Sequence, residues 1–167
     1  MTDIIKGYDD YLSDVDITNI DSLQKFFQFR RDTISQSMTE YAEYFKDVVL
    51  LSKKQYSFYT RKQNVGYEKL HCMTLSNKFV KDRKEILRSL ILAYKFKQKS
   101  PHTNHSSYTL TNNDDREAFY EADLKVYDMR IKLVDDHISF LTEQGDILKS
   151  MIYGFEIAIK FSEFKNI

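Results

Sequence analysis

Proline occurs once in the 167 residues, glycine four times and tryptophan not at all. So few turn-formers exclude a many-stranded sandwich or barrel, which needs turn chemistry about every 8–12 residues, and long helices are what remain. A single cysteine, Cys72, excludes a disulfide framework within the chain and any zinc site built on a cysteine pair. It suits a reducing compartment. No apolar run reaches the roughly 18 residues of a membrane span, and the opening Met-Thr-Asp-Ile-Ile-Lys has no apolar signal core, so a cytoplasmic protein with no membrane partner is expected. The glycines, Gly7, Gly66, Gly145 and Gly154, are too dispersed to build a phosphate-binding loop, and neither GxSxG nor HExxH occurs. His102 and His105 stand among serines and asparagines without a nearby carboxylate or thiol, and His71 and Cys72 point about 100° apart on a helix. The run Asp9, Asp10, Asp14 and Asp16 lacks the glycine and closing glutamate of a calcium loop. No metal, cofactor or catalytic residue is expected.

What is present is aromatic and charged: 12 Tyr, 12 Phe, and 25 basic against 25 acidic residues. The zero net charge hides a segregation. Residues 1–21 hold one Lys against six Asp, residues 53–99 hold thirteen bases against three acids, and residues 114–167 hold seven against twelve. A block of +10 between acidic ends attracts polyanions whatever the total. The alternative is a solvated face neutralised by the acidic ends or by a neighbouring subunit.

Apolar spacing divides the chain into three long helices. Asp21 or Ser22 with Gln24 forms a capping signal, after which Phe27, Ile34, Tyr41 and Val48 recur every seven residues, predicting a helix to about residue 62. Past Gly66 a second pattern, Phe79, Ile86, Leu87, Leu90, Ile91 and Tyr94, predicts a helix over about 67–99. Residues 100–113 are polar, contain the one proline and read as a linker. Asp114 with Glu117 then opens a third helix running nearly to the end of the sequence.

That third helix carries a heptad pattern. Leu124, Ile131, Ile138, Gly145, Ile152 and Ile159 form one row, and Tyr127, Val134, Leu141, Leu148 and Phe155 form the row three residues on. A second apolar face, Val126, Leu133, Phe140, Ile147 and Phe161, lies about 100° round the helix. Two apolar faces suit a helix with two neighbours. The first expectation is self-assembly through Leu124, Tyr127, Ile131, Val134, Ile138, Leu141, Leu148, Ile152, Phe155 and Ile159. The alternative is that both faces pack on the chain's own two earlier helices.

The basic block interleaves charge with flat rings. Lys53-Lys54-Gln55-Tyr56-Ser57-Phe58-Tyr59-Thr60-Arg61-Lys62 sets four bases around three aromatics, and Arg88 precedes Tyr94-Lys95-Phe96-Lys97-Gln98-Lys99. Bases neutralise phosphates and aromatic rings stack on unpaired nucleobases, a combination suited to single-stranded nucleic acid. Tyr56, Phe58 and Tyr59 can equally be core residues.

Over residues 78–167, Phe119-Tyr120-Glu121-Ala122-Asp123 precedes the heptads, Phe140-Leu141-Thr142-Glu143 and Leu148-Lys149-Ser150 fall within them, and Gly154-Phe155-Glu156-Ile157 comes near the end. This layout resembles the UvsY family of tailed-phage recombination mediators. Tyr94-Lys95-Phe96 stands where that family has paired aromatics, here separated by Lys95. The resemblance implies a non-enzymatic factor that binds single-stranded DNA ahead of the aromatics and forms rings through its C-terminal helix. It also implies that the factor helps a RecA-like recombinase displace a single-strand-binding protein, in a bacterial host cytoplasm. Carried over, Lys81, Arg83, Lys84 and Arg88 match the basic run, and Lys95 and Lys97 flank the aromatics.

The sequence therefore predicts an all-α protein: residues 1–99 a helical nucleic-acid-binding region, 100–113 a polar linker, 114–167 a heptad-bearing oligomerisation helix. The expected DNA contacts are Lys53, Lys54, Arg61, Lys62, Lys81, Arg83, Lys84, Arg88, Tyr94, Lys95, Phe96, Lys97 and Lys99. A helical scaffold or adaptor acting through protein contacts is the alternative function.

Overall fold

The computed structural model describes residue 12, residues 15–95 and residues 113–165. It is all-α, with helices α1 (Ile20–Tyr44), α2 (Val48–Lys95) and α3 (Asn113–Lys165), and no strand among the described residues. Most of the linker 100–113 lies outside the described residues. So do Phe96, Lys97, Lys99, His102, His105, Asp9, Asp10 and Asp14, and the side chains of Tyr94, Lys95, Asp114 and Glu117.

The helix boundaries correct the sequence reading twice. Asn19, not Asp21 or Ser22, caps α1: its extended backbone lets the side chain accept from Ser22 N–H at 3.1 Å. Asp16 secures the turn before it, accepting from Thr18 N–H at 2.9 Å and Thr18 Oγ1 at 2.6 Å. The second correction is larger. The first helix stops at Tyr44 rather than near residue 62, and α2 then runs unbroken through Gly66. The break is made by Asp47, whose Oδ1 accepts from Val49 N–H at 2.8 Å and Leu50 N–H at 3.3 Å, supplying partners for the donors that a new helix start leaves open. Gly66 costs a helix about 1 kcal/mol relative to Ala, too little to end one this long.

The chain divides into two compact units, Met1–Cys72 with Asp136–Ile167, and Met73–Asp135. In the first, α1 and the start of α2 run antiparallel: Arg30 meets Glu68, Ser37 meets Arg61 and Tyr41 meets Ser57. The end of α3 is antiparallel to α2, since Glu68 meets His137 and Tyr59 meets Glu156. The core rows are Leu23, Phe27, Ile34 and Met38 on α1, Leu51, Phe58, Val65 and Cys72 on α2, and Leu141, Leu148, Ile152 and Phe155 on α3. Phe58 sits at an aromatic centre, its ring centroid 4.7 Å from Tyr41 and 6.2 Å from Phe155, with Tyr44 and Phe45 edge-on.

The second unit is an antiparallel helix pair. Ile86, Leu90 and Leu124 form its cluster with Leu87, Tyr120 and Tyr127 against them, and the Arg130 guanidinium lies over the rings of Phe79 and Tyr127.

The heptad row of α3 is thus used inside the chain. Leu124, Val134, Leu141, Leu148, Ile152 and Phe155 are buried, and Tyr127, Ile131, Ile138 and Ile159 are half-buried. Within the single chain this row packs on the chain's own helices, the alternative that the sequence left open. Part of the other face, Val126, Ile147 and Phe161, stays exposed.

Candidate nucleic-acid interface

Over residues 48–72, α2 buries Leu51, Phe58, Val65 and Cys72 at seven-residue intervals, so the opposite side of the helix faces out. Lys53, Tyr56, Gln63, Tyr67 and Leu70 follow that outer side at spacings of three, seven, four and three, and all are exposed. Tyr56 is 81% exposed and Tyr67 64%, a large amount of ring surface left in water. Lys54 and Lys62 are exposed beside them, with the Lys54 ammonium 5.6 Å from the Tyr44 ring centroid. The one acidic residue in this stretch, Glu68, is buried. Nothing on the outer side of this stretch of α2 offsets its lysines.

Other predicted contacts point elsewhere. Arg61 turns toward α1, its Nη2 donating to Ser37 Oγ at 2.8 Å. It lies near Tyr41, whose phenol burial pushes above its usual range against the opposing pull of that guanidinium. Phe58 is core. Tyr59 donates to Glu156 Oε1 at 2.8 Å, and that bond to a carboxylate raises its phenol pKa.

In the second unit Lys81, Lys84 and Arg88 are exposed. Lys84 and Arg88 make no ion pair among the described residues, and Lys81 has a loose one with Glu85 at 3.7 Å. Arg83 is committed to Asp128 by two hydrogen bonds, Nε to Oδ1 at 2.6 Å and Nη2 to Oδ2 at 3.2 Å, which raise its pKa further. Of the four residues that the resemblance matched to the basic run, two are open to a ligand, one is loosely held and one is taken.

The sequence reading passed over a buried polar layer. Arg30, Glu68 and His137 each occupy a core position, three residues after Phe27, Val65 and Val134 respectively. Glu68 accepts from Arg30 through both oxygens, at 3.0 and 2.5 Å, and Oε1 also meets His137 Nε2 at 3.1 Å. Burial alone would raise the Glu68 pKa; the hydrogen bonds from His137 and Arg30 and the guanidinium charge outweigh it and hold the carboxyl at about 2. Burial holds the His137 pKa below its ordinary range, helped by the charges of Arg31 and Arg30 against the opposing pull of Glu68. The tautomer follows from its neighbours. Arg31 Nε donates to Nδ1 at 3.5 Å, leaving the proton on Nε2 facing the carboxylate. The ring stacks on Phe27 at 4.5 Å between centroids. The signal for this layer was a polar residue breaking the apolar row of each helix, with Gln144 a second on α3.

No group of three or more His, Cys, Asp or Glu side chains able to hold a metal occurs among the described residues, and no helix among them is long and apolar enough to cross a membrane. The chain matches no family model, no curated protein and no solved structure.

Proposed function

We propose that the protein binds single-stranded DNA without sequence preference, catalyses nothing itself, and serves as an accessory factor that helps load a RecA-like recombinase during recombination, repair and replication. The observation that carries the binding reading is the outer side of α2 over residues 48–72. Its rings Tyr56 and Tyr67 are exposed among Lys53, Lys54 and Lys62, and its one acid is withdrawn into the core. Exposed rings gain nothing from the chain's own packing, but each can stack on an unpaired base for about 1–3 kcal/mol. Lysines with no acidic residue on their own face of the helix suit a phosphate backbone. The recombinase, the single-strand-binding protein and phage origin rest on the resemblance over residues 78–167.

Homo-oligomerisation belongs to the same proposal but moves to another face. With the heptad row occupied, copies would meet through the exposed Ile147, Ile157, Phe161 and Phe164 of α3. Linked copies raise the effective concentration at which each next site meets the strand, so a ring would turn weak contacts into firm binding. The adaptor reading draws support from the same exposed apolar residues and from the Arg83–Asp128 pair, which spends one predicted DNA contact within the chain.

Fluorescence anisotropy with labelled oligo-dT tests the binding. Tyr56→Ala and Tyr67→Ala are each expected to weaken it about tenfold, within the range for loss of one stacked base. Raising salt from about 50 to 200 mM should cost two to three orders of magnitude if about six phosphates are neutralised. No binding at low salt, or a flat salt response, would favour the adaptor.

A further inference from the structure

Gly66 on α2 and Gly145 on α3 line one groove of about 230 Å³ in the first unit. A glycine inside a helix costs about 1 kcal/mol relative to Ala, and its usual justification is close approach of another backbone or side chain. That justification fails at both positions, where an added Cβ would meet nothing within 4 Å. Gly154 provides the contrast, since its Cβ would touch the Phe45 ring at 3.6 Å. The two glycines keep space open instead.

The space has a distinct lining. Val65 and Leu141 are buried side chains along it, and Lys62, Lys69 and Lys149 stand around it with Asp146 as the one acid. Lys62 and Lys69 lie one turn to either side of Gly66, and Lys149 one turn past Gly145. None of the three lysines has an ion-pair or hydrogen-bond partner among the described residues, Asp146 included. Three cations with no protein partner surround a recess smaller than the roughly 300–1,000 Å³ that encloses a drug-sized molecule. It suits a single anionic group better than a whole nucleotide.

We propose that this groove seats a backbone phosphodiester of the bound DNA strand, held by Lys62, Lys69 and Lys149. The inference rests on the single-strand reading above and specifies where the strand is gripped.

The test fills the recess without changing charge. Gly66→Leu/Gly145→Leu introduces two better helix formers at positions where an added Cβ meets nothing within 4 Å, so thermal stability should hold or rise while oligo-dT affinity falls at least tenfold. Lys62→Gln/Lys69→Gln/Lys149→Gln should reduce the slope of log affinity against log salt by about 0.7, the share of one phosphate contact on a single strand. If the leucine pair fails to fold, the lysine triple variant decides alone. Wild-type affinity and slope in folded variants would overturn the seat and leave strand binding standing, whereas a wild-type chain that does not bind oligo-dT would overturn the functional reading itself. Inorganic phosphate and thymidine monophosphate are titrated as competitors at constant ionic strength. Displacement of the strand by either at low millimolar concentration would assign the groove to a free phosphate and overturn the proposal; no displacement supports it.

Discussion

His137 is fully buried, stacked on Phe27, and faced by Glu68, Arg30 and Arg31. Its folded pKa lies below its unfolded one, so it is neutral in the fold; the stability this confers is present above about pH 6.5 and is lost as pH falls and the unfolded chain takes up the proton. Glu68, depressed to about 2, adds stability above the ordinary carboxyl range that is lost between about pH 4.5 and 2. Chemical denaturation followed by circular dichroism is expected to show a shallow decline below pH 6.5 and a steeper one below 4.5, with His137→Asn removing the shallow part. Glu68→Ala, which strands the Arg30 guanidinium, is expected to cost about 3–5 kcal/mol at pH 7. Arg30→Met/Glu68→Leu should recover much of that loss, because a buried pair replaced by apolar side chains of similar size often costs little. These residues were visible in the sequence as polar intruders in apolar rows. A row shows what faces inward on one helix, however, and only the packed structure shows that the three intruders meet.

At the scale of elements, the helical class was legible because one proline and four glycines leave little else to build. The break at residues 45–47 was not. The row Phe27, Ile34, Tyr41 and Val48 carries its seven-residue rhythm across it, and the stop depends on one aspartate rather than on glycine or proline. Asp47→Ala should therefore cost about 1 kcal/mol of stability, read from the denaturation midpoint. Gly66 looked like a break and is none. Gly66→Ala and Gly145→Ala are each expected to stabilise the fold by up to about 1 kcal/mol, since both lie in helices with space for a methyl group.

For the whole molecule, the heptads of α3 showed that a long apolar row had to be buried, but periodicity does not say whether the covering helices belong to the same chain. Leu141 and Leu148 are fully buried within it. The predicted basic contacts divided on the same principle: α2 keeps Lys53, Lys54 and Lys62 exposed and turns Arg61 inward, and charge counts along a segment cannot separate the two cases. The proposed self-assembly is tested on the exposed side of α3. Light scattering of the full chain should give a mass above one protomer at micromolar concentration, with Phe161→Ser/Phe164→Ser returning it to about 20 kDa. A protomer mass for the unaltered chain would remove rings from the proposal while leaving strand binding to be judged by anisotropy.

Because one member of the Arg30, Glu68 and His137 trio comes from each helical segment, sliding α1 or α2 by one turn would set a bare charge against leucine or phenylalanine, and sliding α3 would take the neutral His137 off Glu68. The trio acts as an alignment pin. Added or deleted residues should be tolerated in the short turn at 45–47 far better than between Phe58 and Glu68, where a single insertion would swing one end of α2 by about 100° and carry Tyr56 and Tyr67 off their shared side.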